Sequence, residues 1–151
     1  MKNKTQNLIP GKDCIGVEGG VLIFNKKGEV LLMKRSKNSK NEADWWSKPG
    51  GAVDFNEKAI DAMKREIKEE LNVDINIWGY LPHTDHIIRR EKQHWVAINY
   101  LTNIKKGKLK IMEPHKCEEI RWFSMKKLPK RITQTAREPI KNYLAGKFIK
   151  L

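Results

Sequence analysis

The segment that decides the fold is Gly-Gly-Ala-Val-Asp-Phe-Asn-Glu at residues 50–57, followed seven residues later by Arg-Glu-Ile-Lys-Glu-Glu-Leu-Asn-Val at residues 65–73. Each residue of a helix advances about 100° around the axis, so Glu66, Glu69 and Glu70 share one face. Beside it lies an apolar stripe that consists of Ile60, Met63, Ile67 and Leu71. The pattern predicts a helix from about residue 57 to residue 71, with an acidic face and a face that packs against a sheet.

The three glutamates can be read in two ways. Like charges at i and i+4, such as Glu66 and Glu70, destabilise a helix unless something positive compensates. Hard divalent cations such as Mg²⁺ and Mn²⁺ prefer carboxylate oxygens, so one reading is a metal site. The other is a solvated acidic face on which Arg65 pairs with Glu69 at i+4. The glutamates alone leave both readings open.

The whole spacing resembles the Nudix box. The eight positions that match are Gly51, Glu57, Arg65, Glu66, Ile67, Glu69, Glu70 and Val73. The sequence departs from the box at Asn72, where the family has a glycine that ends the helix in a left-handed conformation. Asparagine is the next-best residue for that conformation, so we expect a small cost in stability. A second departure is Lys48, because an apolar residue usually precedes the Pro-Gly-Gly turn in the family.

The resemblance implies an α+β Nudix fold, with a mixed β-sheet layered between α-helices and one hydrolase domain over residues 1–151. It implies hydrolysis of a phosphoanhydride by water with Mg²⁺, for which Mn²⁺ can substitute. The metal ligands carried over are Glu66, Glu69, Glu70 and the carbonyl of Gly51. Glu69, Arg65 and Glu66 are the catalytic residues carried over, and Glu57 supports the helix and loop. Candidates for a further ligand outside the box are Glu113, Glu118 and Glu119, which the sequence does not rank.

The expected substrate follows from two weaker resemblances. Residues 31–35 resemble the second strand of MutT-type nucleoside triphosphate diphosphatases, in which Arg35 would bind a substrate phosphate. Residues 113–123 resemble a later region of the same enzymes. These favour a nucleoside triphosphate, canonical or oxidised, cut to a monophosphate and pyrophosphate. The alternatives are ADP-ribose (although Ile88 replaces the proline of many ADP-ribose hydrolases), a dinucleoside polyphosphate or an RNA 5′ end.

The net charge of +13 is unevenly distributed along the chain. Residues 105–150 hold 14 Lys/Arg against 4 Asp/Glu, whereas residues 51–74 hold 4 against 7. An acidic segment inside a basic protein suits a metal site that meets an anionic substrate. The resemblance implies that this substrate is a small-molecule nucleotide. The lysines are scattered without aromatic interleaving, which favours a solvated surface over a nucleic-acid interface. A non-catalytic nucleotide sensor or RNA-binding module is disfavoured because every box glutamate is present.

Other features of the sequence concern where the protein is located and whether it forms a dimer. No run of 18 apolar residues exists that could span a membrane, and residues 1–7 lack the apolar stretch of a secretory signal. Cys14 and Cys117 are expected to be reduced thiols, so a cytoplasmic location is expected. The sequence leaves a homodimer open.

The remaining elements are predicted from apolar periodicity and turn residues. Strands are expected at residues 16–24, 29–35, 73–77, 94–101 and 120–123, with an irregular polar loop at residues 36–44. The last helix is expected at about residues 137–145, with Pro139 in its first turn and Gly146 as its stop. Strands that alternate with two helices indicate an α+β fold rather than a helix bundle or a sandwich.

Overall fold

The computed structural model describes residues 7–151, so most of the segment inspected for a secretory signal lies outside the described residues. Within residues 7–151 the strands are β1 Gly16–Phe24, β2 Val30–Arg35, β3 Trp46–Ser47, β4 Gly50–Ala52, β5 Val73–Ile88, β6 Gln93–Gly107, β7 Cys117–Phe123 and β8 Ile149–Lys150. The helices of the same residues are α1 Ala59–Leu71 and α2 Gln134–Leu144, and a 3₁₀ turn covers Arg89–Glu91.

The strands form one mixed sheet in the order β3-β2-β1-β6-β5-β8, with β4 paired to β1 and β7 paired to β2. The β1–β6 pair is parallel and the other strand pairs are antiparallel. One core cluster joins α1 to the sheet through residues such as Met63 and Ile67, and a second joins α2 through Ile140 and Leu22. Because the helices cover opposite faces, the predicted α+β layering is confirmed.

Helix α1 follows the predicted amphipathic pattern. Met63, Ile67 and Leu71 are fully buried against the sheet, as the apolar stripe predicts. The helix begins at Ala59, two residues later than expected, because Lys58 is extended and Asn56 has a φ of 66° in the preceding turn. It ends at Asn72, whose φ of 62° and ψ of 24° are left-handed. Asparagine therefore adopts the conformation for which the family uses glycine.

Helix α2 begins at Gln134 rather than at about Arg137, so the expectation that Pro139 lies in its first turn was wrong. Pro139 is the sixth residue of the helix and is buried. The backbone amides of Ala136 and Arg137 donate to the carbonyl of Thr133, which starts the helix three residues earlier. Gly146, with a φ of 71°, follows the helix as expected.

Strands β5 and β6 are much longer than their apolar patterns predict. They form an antiparallel hairpin with register shifts at three places, one of which lies between Leu81 and Thr84 and includes Pro82. A proline has no amide hydrogen for a sheet, so its place at an irregularity is expected. Polar residues buried along the hairpin hide its strand pattern in the sequence. This hairpin carries Thr84 and His86 to the inside of the protein.

Composition led us to expect no membrane-spanning segment and two reduced cysteines. Within residues 7–151, no helix is long and apolar enough to cross a membrane. Cys14 is an exposed thiol and Cys117 is a buried one, and the two are not bonded to each other.

Candidate active site

Arg65 holds the carboxylates of the box together. Its Nε donates to Glu57 Oε1 at 2.8 Å, and its Nη1 donates to Glu66 Oε1 at 2.8 Å and to Glu69 Oε2 at 3.3 Å. Its Nη2 donates to the carbonyl of Ala52 at 3.2 Å, which ties the helix to β4. These ion pairs raise the pKa of Arg65, so it remains a cation. The structure thus places Arg65 and Glu57 where they can orient Glu66 and Glu69.

Glu70 lies deeper, against the turn that precedes the helix. Its Oε2 accepts a hydrogen bond from the Gly50 amide at 3.2 Å. Burial raises the pKa of Glu70 to about 8, and the nearby Glu66 and Glu113 carboxylates add to the shift. Glu66 packs directly on Gly51, because a Cβ built there would lie 2.4 Å from its carboxyl carbon. Only glycine therefore leaves room for this carboxylate beside β4.

The donor set fits a hard divalent cation. Burial first, and then the charges of Glu66 and Glu113, disfavour the ionised form of Glu70, and a bound cation would favour that form. In the arrangement that residues 7–151 adopt, however, no three His, Cys, Asp or Glu side chains converge tightly enough to hold a metal ion. The reason is that Arg65 draws Glu66 and Glu69 to itself, while Gly50 occupies one oxygen of Glu70. Metal binding would compete with these contacts.

The three candidates for a further ligand have different surroundings. Glu113 is close enough to Glu70 to raise its pKa, and it pairs with Lys116 at 2.9 Å. Glu118 instead accepts a hydrogen bond from the backbone amide of Lys37 at 3.0 Å. Glu119 is drawn into an ion pair with Arg121. The geometry therefore favours Glu113 over the other two.

A cleft of about 520 Å³ opens beside Glu70. Its lining residues are Met33, Lys34, Arg35, Asn38, Ser39, Lys40, Ser47, Lys48, Glu70, His115, Lys116 and Cys117. Arg35 Nε donates to the carbonyl of Asn41 at 3.1 Å, which holds the 36–44 loop. This bond leaves the terminal guanidinium nitrogens available to an anion. Arg35, assigned from its resemblance to the MutT strand, does line the cleft.

Sequence reasoning missed most of this cleft. Lys40, Lys48 and Lys116 line it, yet they come from three separate segments that no spacing connects. Lys48 had a local signal, since a charged residue stands before Pro-Gly-Gly. Burial lowers the pKa of Lys48 to about 8, although the carboxylates of Glu18 and Glu70 oppose the shift. The cleft therefore has an acidic edge at Glu70 and a cationic wall, which consists of Lys34, Arg35, Lys40, Lys48 and Lys116.

Comparisons with known proteins identify the family. Residues 16–143 match the model of the NUDIX domain. A structure described as MutT NUDIX hydrolase from Burkholderia pseudomallei superposes with a TM-score of 0.78, at 35% identity, over 84% of this chain and 96% of that one. A MutT protein from Methanosarcina mazei superposes with a TM-score of 0.75 over 87% and 94% of the two chains, and its 23% identity shows the fold alone.

Curated relatives carry several names. The RNA pyrophosphohydrolase of Ruthia magnifica is 28% identical over 68% of this chain, which covers 64% of that protein. The ADP-ribose pyrophosphatase of Methanocaldococcus jannaschii is 29% identical over 89% of this chain and 75% of that protein. The 8-oxo-dGDP phosphatase of Danio rerio is 30% identical over 60% of this chain but only 26% of its own length. These names agree on phosphoanhydride chemistry and differ on substrate. The domain match and the fold agree with each other. The chain belongs to the NUDIX hydrolase family.

Proposed function

We propose that this chain hydrolyses a nucleoside triphosphate, canonical or oxidised, to a monophosphate and pyrophosphate with Mg²⁺ or Mn²⁺. The observation that carries the proposal is the acidic edge at Glu70 facing a wall of cations across one cleft. A triphosphate needs that pairing, because its charge must be balanced while a nucleophile approaches phosphorus.

Each group has a role in the proposed reaction. Glu66, Glu69, Glu70 and the Gly51 carbonyl would hold the metal, and Glu113 is the favoured further ligand. The metal would supply a more acidic water and would offset charge on the anhydride. Arg65 and Glu57 keep Glu66 and Glu69 oriented towards β4.

The cationic wall would bind the phosphate chain. Arg35 can donate to two phosphate oxygens with its terminal nitrogens while its Nε keeps the 36–44 loop in place. That loop is also tied to the β5–β6 hairpin, because Asn41 Nδ2 donates to Glu91 Oε1 at 2.6 Å. Substrate contact and loop position would thus be coupled through Arg35.

A panel assay tests this proposal. The purified protein is incubated with Mg²⁺ and, in separate reactions, nucleoside triphosphates, 8-oxo-dGTP, ADP-ribose and a dinucleoside polyphosphate. Chromatography of the products should show pyrophosphate and a monophosphate from a triphosphate. Orthophosphate as the first product, or turnover of ADP-ribose alone, would refute the proposed substrate.

An RNA 5′ end is the second candidate. Its support is that several relatives, including those of Ruthia magnifica and Pelagibacter ubique, are named RNA pyrophosphohydrolases. The lysine-rich segment at residues 105–150 would suit the RNA backbone. A 5′-triphosphorylated oligonucleotide added to the panel should be a poorer substrate than a free triphosphate, and faster turnover of the oligonucleotide would favour the second candidate. A cytoplasmic location and a homodimer stay predictions.

A further inference from the structure

Lys48 reaches back over β1. A Cβ built on Gly20 would lie 2.3 Å from Lys48 Nζ and 2.5 Å from its Cε, so the ammonium occupies the space above this glycine. None of the ion pairs that residues 7–151 form includes Lys48. The side chain also lines the cleft beside Glu70. Lys48 therefore lines the cleft and has no carboxylate partner within ion-pair distance among residues 7–151.

Asn99 lies on the strand beside Gly20. It pairs with Gly20 in the parallel β1–β6 register, so its side chain is on the same sheet face as Lys48 Nζ. Asn99 is 1% exposed, and its Oδ1 is buried with no hydrogen-bond partner. Its Nδ2 donates to the carbonyl of Pro82 at 3.2 Å and to Thr84 Oγ1 at 3.1 Å. Because a carbonyl can only accept, the amide cannot be turned round, and Oδ1 remains a free acceptor.

A chain of hydrogen bonds fixes Asn99 and ends at a carboxylate. Thr84 Oγ1 accepts from Asn99, so its hydroxyl can donate to His86 Nε2, 3.2 Å away. His86 Nδ1 then donates to Glu18 Oε1. Glu18 lies two residues before Gly20 on the same strand face and is close enough to Lys48 to favour its charged form. Both ends of the chain, Glu18 and Asn99, thus present negative or partly negative oxygens near the ammonium.

We propose that Lys48, whose side chain lies over Gly20 on the same sheet face as Glu18 and Asn99, is a substrate-binding residue, and that its ammonium binds a non-bridging oxygen of the substrate's phosphate chain. An apolar residue at this position, as the family usually has, would give the cleft no such contact. The Glu18 carboxylate favours the charged form of Lys48 against the effect of burial, and a phosphate oxygen in the cleft would favour it further. A purely structural lysine would instead be expected to have its donors satisfied by the protein.

Binding of inorganic tripolyphosphate without metal isolates this contact from catalysis. Calorimetry is performed in excess chelator on wild type, Lys48→Met, Lys48→Arg and Gly20→Ala. Gly20→Ala is informative because the new Cβ would displace the flexible end of Lys48 while the charge is kept. We expect roughly tenfold weaker binding for Lys48→Met and Gly20→Ala, as for the loss of a charge-assisted hydrogen bond. Lys48→Arg should retain binding within about threefold, since it keeps a donor and a charge.

The matched control is Lys141→Met, an exposed lysine of α2 outside the cleft, which should bind as wild type. With a triphosphate substrate, Lys48→Met should raise KM about tenfold and change kcat by less than about threefold, the signature of lost ground-state binding. Thermal melting of every variant distinguishes a lost contact from a lost fold. Wild-type affinity and KM in Lys48→Met, with the fold intact, would overturn the inference.

This inference rests on the proposed function only for the identity of the phosphate chain. If wild type turns over no nucleotide and the tripolyphosphate contact still depends on Lys48, the proposed function fails alone. If triphosphate turnover is normal and insensitive to Lys48, the inference fails alone. If Gly20→Ala binds as wild type while Lys48→Met does not, the placement over Gly20 is refuted.

Discussion

The two sides of the cleft are built in different ways. Most of the acidic side comes from one continuous segment, residues 50–70, in which Arg65 binds Glu57, Glu66 and Glu69, and Glu113 adds a carboxylate from outside that segment. The cationic side is collected from β2, the 36–44 loop, Lys48 and Lys116, which meet only in the folded chain. The first side would carry the metal chemistry and the second would hold the phosphates. Variants on the acidic side should therefore lower kcat, whereas variants on the cationic side should raise KM.

Removal of divalent metal should have the largest effect on this division. Excess chelator should abolish turnover, since the carboxylates would lose the cation on which the acidic side depends. Binding of tripolyphosphate to the cationic side should survive in the same chelator. Full turnover without metal would refute the role given to the acidic side.

Substitution of the glutamates should have the second-largest effect on turnover. Glu70→Gln and Glu69→Gln should each lower kcat by roughly 10²-fold or more while KM changes little. The melting temperature of Glu70→Gln should not fall, because burial disfavours the ionised form of Glu70 and the amide is neutral without having to take up a proton on folding. Glu138→Gln, an exposed residue of α2, serves as the control. Unchanged kcat in both box variants would contradict the assignment.

Arg35 tests the cationic side. Arg35→Ala should raise KM for a triphosphate about tenfold, since a charge-assisted contact is lost. Arg35→Lys should recover only part of this, because a lysine cannot both bind phosphate and donate to the Asn41 carbonyl as a fork. Steady-state kinetics with exposed Arg131→Ala as the control measures the difference. Equal kcat/KM for wild type and Arg35→Ala would mean that Arg35 positions the 36–44 loop and does not bind substrate.

The helix end gives the smallest expected effect. Asn72→Gly should leave kcat and KM unchanged and shift the free energy of unfolding by less than about 1 kcal/mol. Asn72→Ala should destabilise by about 1 kcal/mol, because alanine does not favour the left-handed conformation. Chemical denaturation checks both values. A large loss of activity in Asn72→Gly would mean that this residue takes part in the site.

The different construction of the two sides of the cleft explains which of their residues the sequence could predict. Fixed spacing along one helix marks Glu66, Glu69 and Glu70, and apolar periodicity marks the face that packs on the sheet. The sequence carries no signal for the buried pairing of Asn99 with His86, because they are polar residues joined only through the β5–β6 hairpin. Pro139 was misplaced because a proline usually marks the first turn of a helix, whereas here the backbone of Thr133 starts α2 earlier. Local signals identify the box glutamates and Arg35, and only the folded chain reveals the lysines that join Arg35 in the cleft.

Hydrolysis in water enriched in ¹⁸O tests the central claim most directly. The proposed reaction has water attack the phosphorus nearest the nucleoside, between the glutamates and the cationic wall. Mass spectrometry of the products from a triphosphate with Mg²⁺ should find the label in the nucleoside monophosphate and none in pyrophosphate. Label in pyrophosphate, or no labelled product with Mg²⁺ present, would contradict the account.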